Sequence, residues 1–232
     1  MHKCDHVPAD PGRRDFLTRT TVLAAGAAAA ATLQITPVKA ALEGGQKKFM
    51  EEAAKLATES VEKGWGGPFG AVIVKDGEII GRGQNRVLLT GCPVYHAEVT
   101  AIIDASAKLN PKGLLGSDYY AGTILEMIPR PAGSPDVVTE RAKMLKGCDL
   151  YVNGAPCPMC MSAIYWSRID RLFFGGSLDD TTKIGFSDEF QYDDFKLPWD
   201  QRKGIAVSPG FEREVGLTAY TAWTNKKDRH YY

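Results

Sequence analysis

Two short motifs, far apart in the chain, restrict what it can fold into more than anything else in it. The first is His96-Ala97-Glu98; the second is Pro156-Cys157-Pro158-Met159-Cys160. Taken singly each is weak, because a Cys-x-x-Cys pair serves as a redox couple, a structural staple or a pair of metal ligands, and His-x-Glu is common. Taken together they answer the needs of one ion. Zinc binds imidazole and thiolate readily, and a site with three protein ligands keeps a fourth position for water. The spacing of three puts Cys157 and Cys160 on one face of a helix. Pro158 suits that helix's first turn, where no backbone N–H is needed, and a helix N-terminus favours thiolate over thiol. A fold that satisfies both motifs must bring the starts of two helices together. Zinc held there lowers the pKa of its bound water toward neutrality. Glu98, two residues beyond His96, is better placed to shuttle a proton than to ligate. Two plainer readings stand beside this one: a thiol–disulfide pair at Cys157 and Cys160, and a Glu98 that only complements a helix dipole.

The stretches around the motifs show how the chain returns to that point. QKKFMEEAAKLATESVEKG (46–64) spaces Phe49, Ala53, Leu56, Ala57 and Val61 as a helix does and closes at Gly64. GAVIVKDGEIIGRGQN (70–85) predicts a hairpin that turns at Asp76-Gly77. YHAEVTAIIDASAKLN (95–110) predicts a helix stopping near Asn110-Pro111, and CDLYV (148–152) a short strand. CPMCMSAIYWSR (157–168) predicts a helix and IDRLFFGG (169–176) a fourth strand. Helix, hairpin, helix, strand, helix, strand implies an α/β fold, a mixed sheet with helices on both faces. An insertion at about 117–143 exceeds what a compact connection needs. Ser134, Pro135 and Gly147 mark an additional helix overlapping it.

The first forty residues differ in kind. GRRDFLT (12–18) precedes the apolar VLAAGAAAAATLQI (22–35) and a small residue at Ala40. This is the pattern of a twin-arginine export signal, and its apolar part falls short of the roughly 20 residues that span a bilayer. The expectation is a signal at 1–40, a single domain at 41–232, a periplasmic location and no membrane attachment after cleavage. With 28 basic and 28 acidic residues the formal net charge is zero, which argues against a polyanionic, nucleic-acid partner and leaves a small, weakly charged substrate open. Outside the cytoplasm a Cys92–Cys148 bridge is conceivable, but two buried thiols are expected instead.

H-x-E combined with P-C-x-x-C is the zinc deaminase signature, so the chain resembles the cytidine deaminase-like superfamily. The resemblance implies a three-layer α-β-α fold, with His96, Cys157 and Cys160 as zinc ligands and Glu98 as proton shuttle. GGPFGAVIVKDG (66–77), GQN (83–85), HAEVTAI (96–102), CPMC with AIYW (157–166) and GFSDEF (185–190) resemble bacterial-type guanine deaminases, and the pattern is similar to plant guanosine deaminases too. By that resemblance Asn85 binds the purine, Phe69 and Trp166 flank its plane, and the backbone N–H of Ala97 faces the amino-bearing end. It likewise implies that Asp180, in DDTTKIGF, contacts guanine and helps to move protons, that the tail AWTNKKDRHYY (222–232) closes over the pocket, and that the assembly is a homodimer. The implied reaction is hydrolytic deamination of a free purine base or nucleoside, guanine first, to xanthine and ammonia. One departure stands out: Val152-Asn153-Gly154-Ala155 occupies the place of the family's usual Thr-Ser-x-Glu. The rival readings are a deaminase of adenosine in tRNA or of another nucleoside, and a non-catalytic purine-binding zinc protein, which the altered loop favours.

Overall fold

The computed structural model describes residues 45–110 and 143–227. The signal expected at 1–40, nearly all of the insertion at 117–143, most of the helix expected at 134–147 and the last five residues of the tail lie outside the described residues.

Helix α1 (Lys47–Glu62) leads into an antiparallel hairpin of β1 (Gly70–Lys75) and β2 (Glu78–Gln84). Asp76 and Gly77 turn it with φ of 50° and 81°, the two left-handed residues that a tight I′ turn requires. A single helical turn, α2 (Val87–Thr90), which the sequence pattern does not show, precedes α3 (Ala97–Leu109). The chain then forms β3 (Cys148–Gly154), α4 (Pro158–Ser167) and β4 (Arg171–Gly176). β3 pairs antiparallel with β1 and parallel with β4, so the sheet is mixed and its order is β2-β1-β3-β4.

Alternation along the strands sorts side chains into two core layers. Ala71 and Ile73 of β1 join Leu150 and Val152 of β3 on one face, while Val72 and Val74 join Tyr151 on the other. Helix α1 covers the second layer through Phe49 and Leu56. The first is covered by α3, through Ala97, Ala101 and Ala105, and by α4, through Ile164. Both faces of the central strands are therefore dry, which explains why β1 is apolar from Gly70 to Val74. Val72, Ile73, Leu150 and Val152 are fully buried, each worth about 1.5–3 kcal/mol. These strands are the frame from which the site hangs.

Close approach fixes the height of α3 on that frame. A Cβ on Gly83 would stand 2.0 Å from the Ala97 carbonyl oxygen and 2.3 Å from the Ala101 nitrogen. Glycine on β2 facing alanines on α3 lets the helix lie directly on the strand, and the first turn of α3 is held accordingly.

After β4 come α5 (Leu178–Lys183), α6 (Glu189–Asp194), a 3-10 turn (Trp199–Gln201), α7 (Arg213–Gly216) and α8 (Thr218–Asn225). Buried Asp194 secures the loop behind α6 by accepting the N–H groups of Lys203 and Gly204 at 2.6 and 3.2 Å. No disulfide joins the described cysteines. Cys148 is buried, as expected, whereas Cys92 is only half-buried. Among the described residues no helix is long and apolar enough to cross a membrane.

Candidate functional site

His96 and Cys157 occupy equivalent positions. Each is the N-cap of its helix with extended backbone, at φ −72°, ψ 161° and φ −71°, ψ 167°. The starts of α3 and α4 thus converge, and each presents the positive end of a helix dipole. Cys160 follows one turn into α4. The Nδ1 atom of His96 lies 3.6 Å from Sγ of Cys157 and 3.6 Å from Sγ of Cys160. All three atoms lie within 4.8 Å of one another. Zinc bonded at about 2.3 Å to sulfur and about 2.0–2.1 Å to nitrogen, at tetrahedral angles, holds the two about 3.6 Å apart. Donor chemistry and spacing therefore both fit a three-ligand zinc site with a fourth position for water.

Without an ion, the three groups are tightly coupled to one another. Hydrogen bonding from the Cys160 thiol, assisted by the His96 ring, holds the Cys157 pKa down at about 4, so Cys157 is a thiolate at neutral pH. The same pairing, with burial, pushes Cys160 up, and the hydrogen bond to Cys157 raises His96. Glu98, in the first turn of α3, is 5% exposed. Burial raises its carboxyl pKa, opposed in part by its own backbone N–H and the Cys160 thiol. A buried carboxyl so displaced toward neutrality can both take and give a proton.

Around the cluster the expected substrate contacts are placed unevenly. Asn85 follows β2 and is buried. Its Oδ1 accepts the N–H groups of Gly67 and Val87, both at 3.2 Å, and its own N–H donates to the Phe69 carbonyl at 2.9 Å. None of these bonds uses its Nδ2, which stays available as a donor. Phe69 is half-buried and meets Phe186 edge-on, with ring centroids 5.1 Å apart. Ala97 is fully buried at the first position of α3, where its N–H has no acceptor within the helix.

Two expected residues are exposed. Trp166, nine residues beyond Cys157 on α4 and 57% exposed, lies about 13 Å along the helix axis from that ligand. Asp180 is exposed and occupied by another task. Its carboxylate accepts the Ser177 N–H at 2.9 Å and the Ser177 hydroxyl at 2.8 Å, the capping box that starts α5, with Lys183 3.4 Å away. The Ser177 N–H first, then its hydroxyl and Lys183, lower its pKa.

The acid drawn toward the cluster is Asp188, which the sequence reading passes over. It is half-buried at the start of α6. Burial first, then the Cys157 charge, raise its pKa, while His96 opposes them. Two residues before it, Phe186 packs on Phe69, and four beyond it the Tyr192 hydroxyl donates to the Pro156 carbonyl at 2.7 Å. Its signal lay inside GFSDEF, but a lone Asp-Glu pair reads as solvated surface.

The family model described as the cytidine and deoxycytidylate deaminase zinc-binding region matches residues 44–176. The guanine deaminase of Bacillus subtilis is 35% identical over 186 residues, 79% of this chain and 97% of that protein. An X-ray structure of guanine deaminase from that organism is similar with a TM-score of 0.61 at 34% identity, covering 81% of this chain and 99% of the other. A tRNA-specific adenosine deaminase of Streptococcus pyogenes serotype M18 is 34% identical over 174 residues, 75% of this chain and 82% of its own.

Proposed function

This chain belongs to the family of the cytidine and deoxycytidylate deaminase zinc-binding region, a hydrolase of C–N bonds, and from that premise we propose that it deaminates a free purine base or nucleoside, guanine first, to xanthine and ammonia. The observation that carries the reading is the buried Glu98 beside the convergence of His96, Cys157 and Cys160.

His96, Cys157 and Cys160 would hold the ion, and zinc bound there would supply the Lewis acidity that makes hydroxide available near neutral pH. Glu98 takes one proton from the attacking water and delivers it to the ring nitrogen, then takes the second from the new hydroxyl and gives it to the amino group, which departs as ammonia. One C–O bond forms and one C–N bond breaks. The first-turn N–H groups of α3 and α4, Ala97 among them, stabilise the charge that develops on the purine. Asn85, through its uncommitted Nδ2, donates to the purine's edge, and Phe69 walls its face. Asp188 takes the part of the second acid, because its carboxyl feels the cluster while that of Asp180 is spent on a helix cap.

Similarity to tRNA-specific adenosine deaminases favours a second reading. The zero net charge favours the first, since a polyanionic substrate draws on clustered Lys and Arg. Export as a periplasmic homodimer belongs to the same proposal. It draws on the twin arginine of residues 12–18 and on exposed apolar side chains such as Tyr165, Trp166, Phe211 and Tyr220. The deciding experiment is ammonia release by zinc-loaded protein from guanine, guanosine, cytosine, cytidine and adenosine. Turnover of guanine or guanosine alone is expected; turnover of adenosine alone, or of none, overturns the reading.

A further inference from the structure

The residues that depart from the family's Thr-Ser-x-Glu lie where β3 ends and the approach to Cys157 begins. Ala71 of β1 faces Val152 of β3, so a continued ladder would next pair Gly70 with Asn153. A side chain takes over there instead. Asn153 Oδ1 accepts the Gly70 N–H at 2.9 Å and Asn153 Nδ2 donates to the Pro68 carbonyl at 2.9 Å. One planar amide therefore bonds to the backbone on both sides of Phe69, as a neighbouring strand would.

The opposite side of the same segment is held by Asn85, through the Phe69 carbonyl and the Gly67 N–H. The ring of Phe69 rests on bare backbone. A Cβ on Gly154 would approach it to 3.2 and 3.4 Å, and one on Gly67 to 3.2 Å. The serine usual at position 153 carries donor and acceptor on one short-reaching oxygen, whereas the asparagine amide offers them on two atoms, one toward each side of the residue. Asn153 and Gly154 thus form a unit: the first grips the backbone around Phe69 and the second leaves the ring its room.

On the purine-deaminase reading given above, we infer that Asn153 is a positioning residue that sets Phe69 as a wall of the purine space, acting through the Pro68 and Gly70 backbone rather than by touching substrate.

A double-mutant cycle on the zinc-loaded full chain tests this, with zinc content, kcat and KM for guanine and the equilibrium Kd for guanine measured on each form. Asn153→Ala is expected to raise KM and Kd about ten-fold, the effect of two lost hydrogen bonds. It leaves kcat within about three-fold of wild type and the zinc content unchanged. In a Phe69→Ala background the same change is expected to add less than about two-fold, because its target is gone. Asn153→Ser falls between wild type and alanine. Unchanged KM and Kd, a full ten-fold effect in the absence of Phe69, or loss of zinc would each overturn the inference. Should the alanine variant fail to fold, Asn153→Asp is carried through the same cycle. It keeps the acceptor for Gly70 and lacks the donor for Pro68, so it must raise KM through Phe69 or the inference falls. A wild type that neither binds nor deaminates guanine or guanosine overturns the purine reading and this inference with it. An active wild type with an additive cycle overturns the inference alone.

Discussion

The converging starts of α3 and α4 and the segment from Ser177 to Asp194 each bring acidic and polar groups toward one place, yet they do so by different means. At the helix starts, His96, Glu98, Cys157 and Cys160 are set by a frame buried on both faces, with α3 lying directly on Gly83 and α4 anchored through Ile164. In the later segment, two short helices run mostly in solvent, and which acid turns inward depends on a single cap. Asp180 closes a box with Ser177 and faces out; Asp188, eight residues on, is half-buried and feels Cys157. Proximity in sequence to a recognisable motif is thus a poor guide where local hydrogen bonds compete for the same carboxylate.

The sharpest way to break that contrast is to remove a ligand. His96→Ala, Cys157→Ser or Cys160→Ser is expected to abolish stoichiometric zinc and to lower activity by about 10³-fold or more, as metal analysis and ammonia release will show. Next comes Glu98→Gln, with zinc retained and kcat lower by about 10²–10⁴-fold. Retention of wild-type kcat would remove Glu98 from the chemistry.

The comparison is sharpened by the two aspartates. Asp188→Asn is expected to lower kcat by about 10–100-fold, whereas Asp180→Asn changes kcat by less than about two-fold and slightly lowers Tm through loss of the cap. The reverse ranking would return the second acid to Asp180. The smallest effect is a pH dependence of the metal-stripped protein. The folded-state pKa of Cys157, about 4, lies below its ordinary value of 9.0. A depressed pKa stabilises the fold in full above the ordinary value, declines as pH falls, and contributes nothing below about 4. Below the ordinary histidine pKa of 6.5, where the raised His96 is protonated in both states and adds no slope, the Tm of stripped wild type should therefore fall more steeply toward about pH 5 than that of stripped Cys157→Ser; parallel slopes would contradict the thiolate assignment.

Much of this was legible in the chain itself, for a physical reason. A strand buried on both faces must be largely apolar, and helices on a sheet must repeat their small or apolar residues every three or four positions, so β1, α1 and α3 declare themselves. The ligands are legible because His-x-Glu and Cys-x-x-Cys make sense only if they meet. What was hidden depends on partners far away in sequence. Asn153 reads as a departure from a motif until its amide is seen bridging residues 83 and 85 positions away. Asp188 looks like surface until the turn at Gly185-Phe186 carries it inward. Trp166 owes its expected role wholly to resemblance, and no local pattern could have told that it ends on an exposed turn of α4.

X-ray absorption at the zinc edge of the purified protein tests the central claim most directly. A first shell of one imidazole nitrogen, two sulfurs at about 2.3 Å and one light oxygen or nitrogen atom is predicted. A shell of four sulfurs, a shell without sulfur, or protein that takes up no zinc at all would contradict it.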